Sequence, residues 1–102
     1  MHRLARLVLI VASAAGSAPQ TQAADPAFGE YLSGECTACH RKDGQETGIP
    51  AIIGWPEDQF IAALRSYQAK RRSNPVMQTI AARLSDAELE ALAAYYGSLK
   101  PQ

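Results

Sequence analysis

The sequence predicts an all-α domain of three main helices joined by long loops. Three observations predict it. Apolar residues recur at helical spacing in three stretches, each stretch opens on a helix-start signal, and the only run that could form a strand, Ile49 to Ile53, is broken by Pro50.

Ahead of the domain stands a leader. Met1 to Arg6 is basic, Leu7 to Ala15 is apolar, and Ser17, Pro19, Gln20 and Gln22 end the run. That order is the n-region and h-region of a secretory signal, and the run is too short for a spanning helix, which needs about 20 apolar residues. Small residues at Thr21 and Ala23 place the expected cleavage after Ala23. The expectation is a signal peptide over 1–23 and a domain over 24–102, with a one-residue slip to Asp25 as the other start and no stable membrane insertion after cleavage.

Asp25 then reads as an N-cap and Pro26 as the first helical residue, with Phe28, Leu32, Cys36 and Cys39 on one face, so a single helix is expected to lead into the cysteines. Gly29 is expected to let this helix approach the last one closely. Residues 41–54, rich in Gly, Asp, Gln and Thr, read as a structured loop. The second helix starts at Pro56, carries Glu57 and Asp58 in its first turn, and presents Phe60, Ile61, Leu64 and Tyr67. It is expected to end near Lys70-Arg71-Arg72. Asn74-Pro75 turns the chain into a short helical stretch around Met77 to Ala82. Ser85 to Glu88 is a capping box opening the last helix, whose face is Leu89, Leu92 and Tyr96 and whose expected stops are Gly97 and Pro101.

The whole chain has ten basic and ten acidic residues; the leader takes Arg3 and Arg6 with it and no acid, which leaves the domain negative by two. No basic field points to nucleic acid. Lys70-Arg71-Arg72, with Arg65 nearby, is the one concentrated charge, read either as a solvated helix end or as a docking patch for a redox partner. A domain this short draws only about 3–5 kcal/mol from its own core and usually recruits a staple.

The staple is legible as Cys36-Thr37-Ala38-Cys39-His40, a C-x-x-C-H sequence, the attachment site of c-type haem. Two residues between the cysteines let both sulfurs reach the two vinyl positions on one porphyrin edge, and the adjacent histidine is carried beneath the ring. A thioredoxin-like site would need a strand before the motif. A disulfide here would close a tiny loop of little value, and a zinc site wants four ligands where the domain offers two Cys and one His. One covalently attached haem c is therefore expected, with long loops wrapped around it.

His40 is the expected ligand on one side of the iron. For the other side, the domain after the leader holds a single methionine, Met77, and no second histidine. Met77 is read as the soft sixth ligand, with core filler as its bland role and an open site, a lysine or an external ligand as alternatives. The Pro50 carbonyl is in sequence reach of the His40 Nδ1 hydrogen and would orient the ring; the other reading is a turn proline. Trp55, Tyr67, Tyr95 and Tyr96 are expected in the pocket wall or between helices.

With Cys36 to His40, the Gly48 to Gly54 stretch, Pro75-Val76-Met77 and Leu84 to Leu89 followed by Ala93-Ala94-Tyr95-Tyr96, the chain resembles class I cytochromes c from Phe28 to Lys100. Within that class it is most similar to the haem subunits of flavocytochrome c sulfide dehydrogenases, above all at Val76 to Ala81. Arg41 and Lys70 stand where family members often have glycine. The resemblance implies a class I cytochrome c fold around one haem, thioethers at Cys36 and Cys39, axial ligands His40 and Met77, and a flavoprotein sulfide dehydrogenase subunit as partner. The function expected is one-electron transfer in the periplasm, not catalysis by the chain itself. A freely diffusing periplasmic carrier and a haem sensor or peroxidase with a labile sixth ligand are the alternatives.

Overall fold

The structure, a computed structural model, describes residues 5, 7–12 and 24–101. Of the expected leader, the described residues are exposed and belong to no regular element, and the expected cleavage position lies outside the described residues.

Among the described residues the chain forms helices and no strand: α1 (Pro26–Leu32), α2 (Gly34–Thr37), α3 (Glu57–Gln68), α4 (Pro75–Ala82) and α5 (Asp86–Ser98). The first helix starts as its residues dictate, with Asp25 Oδ1 accepting from Ala27 N at 2.9 Å and Pro26 at the first position. It does not run unbroken into the cysteines, as the spacing predicts. Ser33 interrupts it, because both its backbone N–H and its hydroxyl turn back to Glu30 O, at 3.1 and 2.6 Å. That is the competition a serine side chain offers to helix propagation.

The centre of the core is α5. Its capping box is formed, Ser85 Oγ accepting from Glu88 N and Glu88 Oε1 from Ser85 N. Leu89, Leu92 and Tyr96 are fully buried as the face analysis predicts, but so are Ala91 and Ala93, with Ala94 and Tyr95 nearly so. The helix is covered on several sides because α1 and α3 both pack against it, and the alanines let them come close. A Cβ on Gly29 would overlap the Ala91 carbonyl and lie 2.6 Å from Tyr95 Cβ, so the contact of α1 with α5 requires glycine. Full burial of a leucine such as Leu89 or Leu92 contributes about 1.5–3 kcal/mol.

Gly97 does not stop α5, which continues to Ser98. A Cβ there would meet Trp55 O at 3.1 Å, and Gly54 N donates to Tyr96 O at 2.8 Å. The glycine serves the docking of the 53–55 loop on the end of α5.

The end of α3 falls at Gln68, before the basic triplet. Lys70 takes the left-handed conformation (φ 58°), its N–H donating to Tyr67 O at 3.0 Å and Arg71 N to Ser66 O at 2.8 Å. This is a Schellman cap with a lysine in the seat glycine occupies without strain. Lys70→Gly is expected to raise the unfolding free energy by about 1 kcal/mol, since a side chain in this region costs ~1–2 kcal/mol. Denaturant melts of the haem-bearing protein check it, and a midpoint that stays put or falls contradicts it.

Candidate functional site

The C-x-x-C-H segment occupies one compact turn. Gly34 O accepts from Ala38 N at 3.3 Å, and Cys36 O accepts from Cys39 N at 3.1 Å and from His40 N at 2.7 Å. Cys36 is half-buried against the core and Cys39 exposed, and the two are unbridged. A helix precedes them, not the strand of a thioredoxin-like site. Burial pushes the Cys36 thiol up, opposed by a hydrogen bond with Tyr96 and reinforced by the Glu35 carboxylate.

Tyr96 fixes this turn from below. Its ring stacks on Phe60 with centroids 5.8 Å apart, and Phe60 meets Trp55 edge-on at 6.5 Å. Its hydroxyl donates to the backbone carbonyl of buried Ser33 at 3.2 Å and so accepts from Thr37 Oγ1, 2.8 Å away. One phenol thus holds the break before α2 and the residue between the two cysteines. Burial pushes its pKa up to about 12.

His40 Nδ1 lies 2.6 Å from Pro50 O. A carbonyl can only accept, so Nδ1 carries the proton and Nε2 keeps the lone pair with which an imidazole binds metal. Next to Pro50 the loop is tied to itself, Glu46 Oε1 accepting from Ala51 N at 3.2 Å. The earlier part of the loop is held by Arg41 and Asp43, an ion pair whose carboxylate also accepts from Gln45 N at 2.9 Å. The guanidinium and that N–H keep the Asp43 carboxyl below the usual carboxylate range.

Met77 stands in the first turn of α4, and its own N–H is the one capped, by Asn74 Oδ1 at 3.0 Å, with Pro75 between them. At the other end of α4, Gln68 Nε2 donates to Ala81 O at 3.0 Å and Leu84 O at 3.1 Å. The helix is capped at one end by its own N-cap residue and at the other by α3.

Cys36, Cys39, His40 and Met77 border a single cavity of about 410 Å³, together with the Pro50 region, Trp55 and Tyr67. The rest of the lining is mostly aliphatic, from Ile52, Leu64, Ile80 and Leu84. An apolar cavity bordered by two thiols, an imidazole with its Nε2 lone pair available and a thioether suits the donor set and the body of a haem. Tyr95 and Tyr96 lie between helices and not in the wall, whereas Trp55 and Tyr67 are wall residues.

A family profile described as Cytochrome c matches residues 26–100. The chain belongs to the cytochrome c family. It carries haem c, attached covalently, and its two cysteines place the thioethers at positions 36 and 39. It is an electron-transfer protein.

The chain is 34% identical over 104 residues to the cytochrome subunit of sulfide dehydrogenase of Chlorobaculum tepidum, covering 94% of each. It is 37% identical over 102 residues to a thiosulfate dehydrogenase electron acceptor of Thiomonas intermedia, covering 94% of this chain but 45% of that protein, so the chain spans under half of that relative. It is also 35% identical over 81 residues to cytochrome c-554(548) of Halomonas halodenitrificans, covering 74% of this chain and 98% of the relative.

Sequence reasoning assigned no role to Ser33, Thr37, Glu46, Asn74 beyond its turn, or Gln68, and gave Tyr96 only packing. The hydroxyl between the two cysteines was the available signal for Thr37; nothing local marks Glu46 or Gln68, whose partners are set by tertiary contacts. Tyr96→Phe keeps the ring but removes the bond to Thr37 Oγ1 and one of the two donors to Ser33 O, which keeps the Thr37 N–H at 2.9 Å, so it is expected to cost about 0.5–1.5 kcal/mol for each bond lost. A tyrosine whose pKa is raised in the fold stabilises it below the unfolded value, and that part is lost as pH rises from roughly 10 toward about 12. Alkaline melts of the wild type are expected to show this loss and those of Tyr96→Phe to lack it. Equal stability of the two proteins at neutral pH would contradict the role given to the hydroxyl.

Proposed function

We propose that His40 and Met77 are the axial ligands of the haem iron, and that the exported chain works in the periplasm. We propose further that it accepts electrons one at a time from a dehydrogenase oxidising reduced sulfur, in the first instance a flavin-containing sulfide dehydrogenase subunit. The observation that carries the ligand assignment is that His40, with Nδ1 committed to Pro50 O, and Met77, with its N–H capped by Asn74, border the same cavity.

Bound haem c supplies a one-electron couple at iron. The chain's own residues do the rest. Pro50 O orients the imidazole and raises the basicity of Nε2. The Met77 thioether, a soft donor, favours the reduced state, and the aliphatic wall does the same by keeping charge and water away. The sulfur-oxidising partner is supported by the sulfide dehydrogenase relative, matched over almost its whole length. A thiosulfate-oxidising partner is the second reading, favoured by the relative at 37% identity. Export is supported by the leader pattern and by a c-type haem, attached after the chain has crossed the membrane; no described helix is long and apolar enough to cross a membrane.

Met77→Ala is expected to abolish the near-infrared band of iron–thioether ligation, lower the reduction potential and let carbon monoxide bind the reduced protein. A wild type that already binds carbon monoxide readily, with a potential indifferent to the substitution, would promote the sensor or peroxidase reading.

Purified from a periplasmic fraction, the protein is expected to have a mass starting at Ala24 or Asp25 and to elute with a flavoprotein that reduces it when sulfide is added. Reduction with thiosulfate instead selects the second partner. A mass that retains Arg3 and Arg6 contradicts cleavage, and elution alone with neither donor active selects the free carrier.

A further inference from the structure

The His40 ring donates to Pro50 O at 2.6 Å, and Ala51 N donates to Glu46 Oε1 at 3.2 Å. The carbonyl of Pro50 and the N–H of Ala51 are the two ends of one peptide group. That group is planar because resonance couples its nitrogen to its oxygen. An acceptor that draws on the N–H therefore adds negative charge to the carbonyl oxygen, since hydrogen bonds in a chain polarise one another. Here the acceptor is a carboxylate, and the bond is charge-assisted.

Nothing else competes for either end. Among the described residues Ala51 N donates to no other group, and Pro50 O accepts from His40 alone. The ion pairs of the described residues engage Asp43, Asp86 and Glu35, and none takes the Glu46 carboxylate. Glu46 reaches Ala51 across a turn that passes through Gly48 in the left-handed conformation (φ 86°), which glycine adopts without strain. Gly48, Pro50 and His40 border the cavity, and Glu46 does not. The carboxylate thus stands outside the cavity and meets the imidazole through a single peptide group.

We infer that Glu46 is a positioning residue for the iron: its charge, passed along the Pro50–Ala51 peptide, strengthens the bond at His40 Nδ1 and makes Nε2 the stronger donor. The inference rests on the reading of His40 as an iron ligand and not on Met77 or the electron donor. A more basic imidazole favours ferric iron, so Glu46 lowers the reduction potential. The loop that carries Pro50 does more than hold the ring in place.

Three variants of the haem-bearing protein test this: Glu46→Gln, Glu46→Ala and, as control, Glu35→Gln. Glu35 borders the cavity and carries the same charge, but it bonds Arg83 and not the peptide. In the reduced protein the His40 Nδ1–H proton, read by NMR, is expected to move upfield in Glu46→Gln and further in Glu46→Ala, and the reduction potential to rise in the same order. Glu46→Gln keeps an oxygen for Ala51 N and is expected to keep that amide protected from hydrogen exchange, whereas Glu46→Ala loses the protection. Glu35→Gln is expected to leave the Nδ1–H proton in place. An Nδ1–H proton unmoved in both Glu46 variants, or moved as far by Glu35→Gln, would overturn the inference, as would a potential that fails to rise. A wild type whose His40 ring carbon-bound protons lack the upfield ring-current shift of an imidazole beneath a haem would instead overturn the ligand assignment.

Discussion

The hydroxyl of Tyr96 is the point at which the apolar core and the haem attachment turn become one structure. Its ring belongs to the stack with Phe60, and its oxygen reaches past that stack to Ser33 O and Thr37 Oγ1. A phenylalanine would satisfy the core equally well. The Ser33 carbonyl would then keep only the Thr37 N–H, and Thr37 Oγ1 would lose its phenol partner, each lost bond costing about 0.5–1.5 kcal/mol. The break at Ser33, the position of Thr37 between the cysteines and the packing of α5 are therefore not independent choices.

The cavity walls away from α5 are held differently. Residues 41–51 and 69–74 place no residue in the buried core, and side chains bonded to main chain help hold the walls: Glu46 to Ala51 N, Asn74 to Met77 N, Gln78 to Arg72 O and Gln68 to the carbonyls of Ala81 and Leu84. Each such bond contributes only about 0.5–1.5 kcal/mol net. Together they position Pro50 and add to the packing of Met77 and Ala81 against the core. A small domain that must surround a large planar group has few residues left for a conventional core, and these bonds take the place of packing in its loops.

This division explains what was legible in the sequence. The attachment motif, the caps at Asp25 and Ser85 and the helices they open depend on residues a few positions apart, and the spacing predicts them; at Asn74 it predicts the turn and not the cap. The close approach at Gly29 was also legible, because a glycine inside an amphipathic turn has few other uses. The break at Ser33 was not, since the face Phe28, Leu32, Cys36 continues across it and only the hydroxyl bond to Glu30 O decides against an unbroken helix. Gly97 misled for a related reason: a glycine near a helix end signals a stop, and here it makes room for Trp55 O, a contact over forty residues apart in sequence. The full burial of Ala91 and Ala93 was likewise hidden, because alanine fits a buried or an exposed face equally and only the packing of both α1 and α3 on α5 settles it.

The same arrangement bears on how the chain handles an electron. A carrier works best when its metal site changes little between the two oxidation states. The two residues assigned to the iron sit in segments whose main chain is pinned close by: Pro50 O receives the His40 Nδ1 hydrogen at 2.6 Å, and Met77 N is bonded to Asn74 at 3.0 Å. Moving the His40 ring means breaking its bond to Pro50, ten residues away in sequence, while the Asn74 cap fixes the shape of the helix turn that carries Met77. Gln68 extends the restraint, since α4 cannot shift along its axis without losing two bonds to α3. A catalytic haem needs a position that opens; the proposed Met77 thioether would fill it, and the Asn74 cap and the Gln68 bond to Ala81 O hold the helix that carries it.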